Sequence, residues 1–224
     1  MENKNILEGK STWEWIVFAL GTGGYIPLII GGIQHPSEIN IATYSLWLIL
    51  CFMVAYSSWK QKFIGWFMPF GWVFGTALII IVALLNGGYT FNLGMGEIIV
   101  FYGIIATLAV WGIIGQQTGK WNPRILFWGG IAADILSFYP QIKQYLLPHD
   151  APTIWMILGW VMFIAGVVFN VIFIEHLPQK LTMKKERYEA EYGEPKRPLY
   201  LIESSLLSLE NTVFLSVTLI LMLR

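Results

Sequence analysis

Apolar residues run along this chain in long blocks divided by short polar stretches; they do not alternate with polar residues. Seven blocks stand out, at 13–33, 39–59, 63–86, 94–116, 123–147, 153–175 and 199–223. A helix crosses a bilayer with about 20 mainly apolar residues, and each block reaches that length. A membrane β-barrel would show segments of about 10 residues with alternating polarity. Runs such as ALIIIVALL and IAGVVFNVIFI lack that alternation. The pattern predicts an all-α integral membrane protein with seven transmembrane helices. The opening MENKNILEGKST is polar, and no small-residue cleavage site follows an apolar core, so no cleavable signal peptide is expected.

Composition agrees and excludes some classes. Of the 224 residues 56% are hydrophobic and 12% charged, with mean hydropathy +0.60, against about 25% charged in soluble domains. The net charge is zero and the basic residues sit in short clusters, so no nucleic-acid partner is expected. A single cysteine, Cys51, excludes an internal disulfide framework. His35 and His149 fall in outer loops and His176 at the other face, so no metal site and no cofactor are expected.

Lysine and arginine set the orientation. Lys4 and Lys10 precede the first segment, Lys60 and Lys62 join the second and third, and Lys120 and Arg124 the fourth and fifth. Lys180, Lys184, Lys185, Arg187, Lys196 and Arg197 lie between the sixth and seventh. Twelve of the fourteen basic residues thus share one face, leaving Lys143 and Arg224 on the other. This predicts a multi-pass protein of the cell (inner) membrane, with the N-terminus cytoplasmic and the C-terminus outside. Trp13, Trp15, Trp59, Trp66, Trp121 and Trp128 gather at the cytoplasmic ends, as interfacial tryptophans do. The connector EHLPQKLTMKKERYEAEYGEPKRP mixes both signs and reads more simply as a solvated link than as a surface helix on anionic lipid.

The chain also repeats itself. Pro27 and Pro140 are 113 positions apart, as are Trp47 and Trp160, Ile29 and Ile142, and Tyr25 and Phe138. Both copies read as a helix with proline in its outer half, a short His/Pro-bearing loop, then a helix with tryptophan. Four segments separate the copies, so the two units run parallel. The division is residues 1–87 as a first three-helix unit, 88–118 as a linker helix, and 119–224 as a second unit with a cytoplasmic loop at 176–198. Parallel repeats of this kind are a transporter architecture, with the solute near the midplane between units.

Within the second copy, FYPQIKQYLLPHDAPTIWMILGWVMFIAGVVFN resembles a PQ-loop repeat. That repeat marks the superfamily of SWEET-like sugar transporters, lysosomal PQ-loop exporters and bacterial vitamin carriers of the nicotinamide riboside type. The first copy is similar in outline only, with Leu28 where the glutamine would stand. The resemblance implies a 3+1+3 arrangement of helices. SWEET proteins usually place the N-terminus outside, so the orientation is nearer to the vitamin carriers. The resemblance further implies a solute flanked by one residue pair from the second and sixth helices and an asparagine pair from the third and seventh. Ser57 with Asn170 is similar to the first pair and Asn211 to half of the second; the third segment offers no asparagine at depth.

The polar residues inside the blocks carry the candidate chemistry. Pro27 and Pro140 each free a carbonyl one turn back, and their matched positions favour hinges over static kinks. Asp134 and Glu210 lie at membrane depth, where a charge costs at least about 2.5 kcal/mol. Proton or cation coupling, hydrogen bonding to a solute, and a neutralised structural carboxyl all fit them. Asp134, Ser137 and Gln141 share a helical stripe, and Gly21 stands where the first copy would place Asp134. Glu203 is close enough to the cytoplasmic end to be solvated, and Glu97 is expected only to complement its helix dipole. Gly159, Phe163, Gly166 and Asn170 share another stripe, its glycines admitting a close backbone or a solute, and Ser57 is the repeat mate of Asn170. Trp47 and Trp160 suit either a ring-shaped solute or helix packing. Lys143 is expected to snorkel to the outer interface.

The sequence therefore predicts no enzyme but a carrier of a small polar solute (a vitamin, sugar, nucleoside or amino acid), acting as facilitator or proton-coupled. Expected partners are that solute and the lipid bilayer; a homo-oligomer stays open. A lipid-modifying enzyme using Asp134, Glu203 and Glu210 lacks a metal-ligand or nucleophile–histidine motif. A seven-helix receptor or sensor is the other alternative, and its retinal-binding form lacks the lysine it would need in the seventh segment.

Overall fold

The computed structural model describes residues 12–60, 67–118, 123–169 and 198–224. Among them every regular element is helical: α1 (Thr12–Gly23), α2 (Tyr25–Gln34), a 3-10 turn (Pro36–Glu38), α3 (Ile41–Lys60), α4 (Phe67–Leu85), α5 (Met95–Thr118), α6 (Pro123–Leu146), α7 (Ile154–Phe169) and α8 (Pro198–Met222). Gly24 alone separates α1 from α2, so these form one bent rod and the described chain has seven rods. The connector at 170–197, with Asn170 and His176, lies outside the described residues.

Local chemistry sets the helix ends. Asn40 heads α3, its side-chain oxygen accepting from the N–H groups of Ala42 at 3.1 Å and Thr43 at 3.4 Å. Thr153, 113 positions later, heads α7 by accepting from Met156 N–H at 3.3 Å. Both satisfy donors that a helix start leaves unpaired. At the end of α4, Gly87 adopts φ +82° and Gly88 N–H reaches back to the Ala83 carbonyl at 2.8 Å. This is the left-handed stop that glycine permits. Glu97, in the first turn of α5, accepts from Gly94 N–H at 2.7 Å, one half of a capping box.

The break in the first rod falls at Gly24, not at the expected proline. Pro27 stands in the first turn of α2, where a backbone N–H has no acceptor within the helix, so its ring removes no bond. Pro140 sits inside the continuous α6 and deprives the Leu136 carbonyl of its usual donor.

Packing follows a two-fold pattern. α4 packs against both the α1–α2 rod and α3, while α8 packs against both α6 and α7. Across the middle, the first rod meets α7 and α3 meets α6. Exchanging the first rod with α6, α3 with α7 and α4 with α8 reproduces the same neighbours. α5 stands beside this arrangement, against α3 and α6. Turns 35–40, 86–94 and 147–153 gather at one end, called upper below: Ile41 N–H bonds the Thr90 carbonyl at 2.9 Å, and His149 Nε2 lies 3.2 Å from the Leu221 carbonyl.

The outer surface is apolar. Phe74, Leu85, Ile99, Ile154 and Ile220 are all exposed. The stretch Met95–Gly115 is long and apolar enough to cross a membrane, with 22% of its window buried. Phe18–Gln34, Ile41–Met53, Gly71–Leu85, Ile154–Phe169 and Glu210–Met222 are shorter apolar helices of 10–17 residues. One of the seven expected spans thus reaches full length among the described residues.

Candidate functional site

The two helix groups meet on an aromatic layer built from repeat mates. Trp47 on α3 and Trp160 on α7 touch across the pseudo-two-fold, their ring centroids 5.9 Å apart. Phe138 stands edge-on to Trp47 at 4.8 Å, and its mate Tyr25 stands edge-on to Phe163 at 4.7 Å. All five rings are buried. The Trp160 indole N–H has no hydrogen-bond partner, an unusual state for a fully buried donor.

Glycine brings the groups this close. A Cβ on Gly159 would lie 2.4 Å from the Leu28 side chain and 3.0 Å from the Gly24 carbonyl, and one on Gly166 2.9 Å from Gly21 N. The close neighbour admitted by this stripe is therefore the first rod.

One turn below Phe138 on α6 lies Asp134. Asn211 on α8 donates from Nδ2 to Asp134 Oδ2 at 2.7 Å. The Ser137 hydroxyl donates to the Asp134 carbonyl at 2.6 Å and lies 3.4 Å from Oδ1. Trp47 also lies against this carboxyl. Glu210, beside Asn211 in sequence, is near enough to Asp134 for the two carboxyls to interact. Both Glu210 oxygens are nevertheless buried without a partner at hydrogen-bond distance. Asp134 is thus held by neutral donors, with Glu210 beside it, beneath a tryptophan pair.

The first group fills the equivalent place differently. Gly21 replaces Asp134, and the Trp72 indole nitrogen lies 3.4 Å from where a Gly21 Cβ would be. Tyr25 and Thr76 share a 2.8 Å hydrogen bond where the second group stacks Phe138 on Phe214 at 5.6 Å. Thr76 and Phe214 are 138 positions apart, as are Trp72 and Glu210. At these matched positions the acid groups belong to the second group alone.

Above the aromatic layer lies an amide cluster. The Asn40 Nδ2 donates toward the Pro140 carbonyl at 3.1 Å, Gln144 Oε1 at 3.0 Å and Asn92 Oδ1 at 3.0 Å. Asn92 donates to the same Pro140 carbonyl at 2.8 Å. Gln141 is committed here: its Nε2 donates to the Glu38 carbonyl at 3.2 Å and its Oε1 faces Asn40 N–H at 3.4 Å. It does not join Asp134, although the two share a helix face. Lys143 is likewise held, pairing with Glu97 at 2.9 Å, while Tyr139 donates to Glu97 at 2.9 Å. Glu97 therefore does more than complement a helix dipole.

Of the remaining expected site residues, Ser57 lies in α3 and Glu203 in α8, their side chains outside the description, and Asn170 lies outside the described residues. Asn40, Asn92, Gln144 and Glu38 were not anticipated; the signal available was Asn40 standing directly before an apolar run, 113 positions ahead of Thr153. Among the described residues no group of His, Cys, Asp and Glu could hold a metal ion. A shallow open groove on α5, lined by Ala106, Thr107, Val110, Trp111 and Ile114, lies apart from these clusters. No protein-family model matches the chain, and no curated protein or solved structure matches it.

Proposed function

We propose that the chain is a membrane-embedded carrier that moves a small polar solute by alternating access, with Asp134 and Glu210 as its proton-binding pair. The observation that carries this reading is the placement of Asp134, Glu210 and Asn211 directly beneath the repeat-matched tryptophans, where two similar helix groups meet. Parallel repeats meeting at a polar midplane are how carriers of this architecture hold solute. The Trp160 N–H, which lacks a partner, and the Glu210 carboxyl offer a solute a donor and an acceptor, and the indole faces suit a flat ring.

The two-fold packing and the matched prolines support a 3+1+3 carrier similar to the PQ-loop, SWEET-like superfamily, and the exposed apolar surface supports immersion in lipid. In this reading the upper end faces outside and the N-terminus the cytoplasm. The amide cluster then closes the outer side, with Pro140 at the point where α6 would flex.

Liposome uptake tests this. Purified protein should equilibrate one member of a panel of vitamins, sugars, nucleosides and amino acids without ATP. Trp160→Ala should abolish uptake. Asp134→Asn should remove its dependence on a pH gradient. No uptake and no thermal shift across the whole panel would overturn the carrier reading.

A further inference from the structure

Several buried polar atoms above the aromatic layer lack a well-formed hydrogen bond. Both carboxylate oxygens of Glu38 and the hydroxyls of Tyr145 and Tyr44 are buried without one, although Glu38 lies close to the Thr153 backbone and Tyr145 to Gln141. Glu38 is 8% exposed, Tyr145 4% and Tyr44 0%. Leaving such a group dry is unfavourable, so three together call for an occupant.

They also converge. Tyr145 interacts with both Tyr44 and Glu38. The Tyr44 ring stands edge-on to Trp47 at 5.5 Å, and Trp47 lies against Asp134. At the rim, Glu38 lies 3.8 Å from His35 Nδ1. From the remaining elements it meets the Thr153 backbone at the head of α7 and His149 and Asp150 from the 147–153 turn. A buried water typically needs two to four polar partners, and these side chains supply them.

We propose that Glu38, Tyr145 and Tyr44 line an internal water-binding site that conducts protons from the upper rim toward the Asp134–Glu210 pair. The inference rests on the proton-binding reading of that pair and adds its route and side of entry. Each hydroxyl takes a proton from its upper neighbour as it gives its own to the lower one. No charge accumulates along the path, and the proton ends on a carboxylate. Trp47, between Tyr44 and Asp134, marks the point where waters must bridge.

The test uses the full chain in liposomes and infrared detection of protonated carboxyls after a rapid pH drop outside. Asp134→Asn and Glu210→Gln identify the band. Tyr44→Phe/Tyr145→Phe, which removes two hydroxyls and little volume, should leave its final amplitude unchanged and slow its appearance about tenfold, a barrier change of about 1.4 kcal/mol. Glu38→Gln should slow it similarly. Equal rates in wild type and the double variant overturn the route while leaving the carboxyl pair intact. Absence of the band from wild type overturns the proton-binding reading and the route with it. Should the double variant fail to fold, Tyr145→Phe alone decides by the same rate.

Discussion

Asn40 donates its side-chain N–H to the Pro140 carbonyl at 3.1 Å, tying the head of α3 to α6, which runs through a proline. The same residue caps α3 through its other side-chain atom. Asn40→Ala therefore removes a cap worth about 1 kcal/mol and withdraws a donor shared by Pro140, Gln144 and Asn92. Unfolding should show a loss of about 2 kcal/mol, the sum of a cap and one buried hydrogen bond. Hydrogen exchange should rise first in the opening turns of α3 and around residues 140–146. Unchanged exchange at both places would show that the amide cluster does not hold the two groups together.

Asp134 and Asn211 make a second link, between α6 and α8 within the second group. A hydrogen bond to a charged group contributes about 1.5–3 kcal/mol. A double-mutant cycle of Asp134→Ala and Asn211→Ala should return a coupling energy of that size. Strict additivity would mean that the 2.7 Å contact contributes nothing to stability and that Asn211 serves some other partner.

Gly159 has little room where it faces the first rod. An added Cβ would meet not only the Leu28 side chain, which can move, but also the Gly24 carbonyl at 3.0 Å, which cannot without shifting the bend between α1 and α2. Gly159→Ala should destabilise by about 1–3 kcal/mol, as overpacked cores do. Gly103→Ala, with nothing near its Cβ, should be neutral or slightly stabilising. Equal thermal midpoints for the two variants would contradict this packing.

The repeat was legible because equivalent places in two similar groups demand similar residues. Trp47 and Trp160 are both core aromatics at the shared interface, so their 113-residue spacing survives in the sequence. Asp134 was legible as an ionisable group in an apolar block, and Asn211 and Glu210 likewise. Their meeting was not, since it spans 77 positions and no spacing rule crosses the connector between α7 and α8. Gln141 shows the limit of the helical stripe. Seven residues return to the same face but climb about 10 Å along the axis, enough to leave the carboxyl layer for the amide layer. Lys143 looked out of place in a count of charges because its partner Glu97 lies 46 positions away on another helix. Proline misled by its position: Pro27 suits the first turn of a helix, so the preceding Gly24 marks the break.

Glu38 supplies a pH signature of stability. Burial, the largest influence, pushes its carboxyl above the ordinary range; His35, the Thr153 backbone and His149 oppose this, and Asp150 adds to it. A folded-state pKa above the unfolded value means the native chain favours the protonated form. The contribution is therefore fully present below the unfolded carboxyl pKa and is lost as pH rises through the higher folded one. Glu38→Gln, which fixes a neutral group in the same space, should lack this loss. Thermal midpoints of wild type and Glu38→Gln should be close in mild acid and diverge toward neutral pH, with the variant more stable. A wild type that gains on the variant as pH rises would reverse the sign and show the carboxylate to be stabilised where it sits.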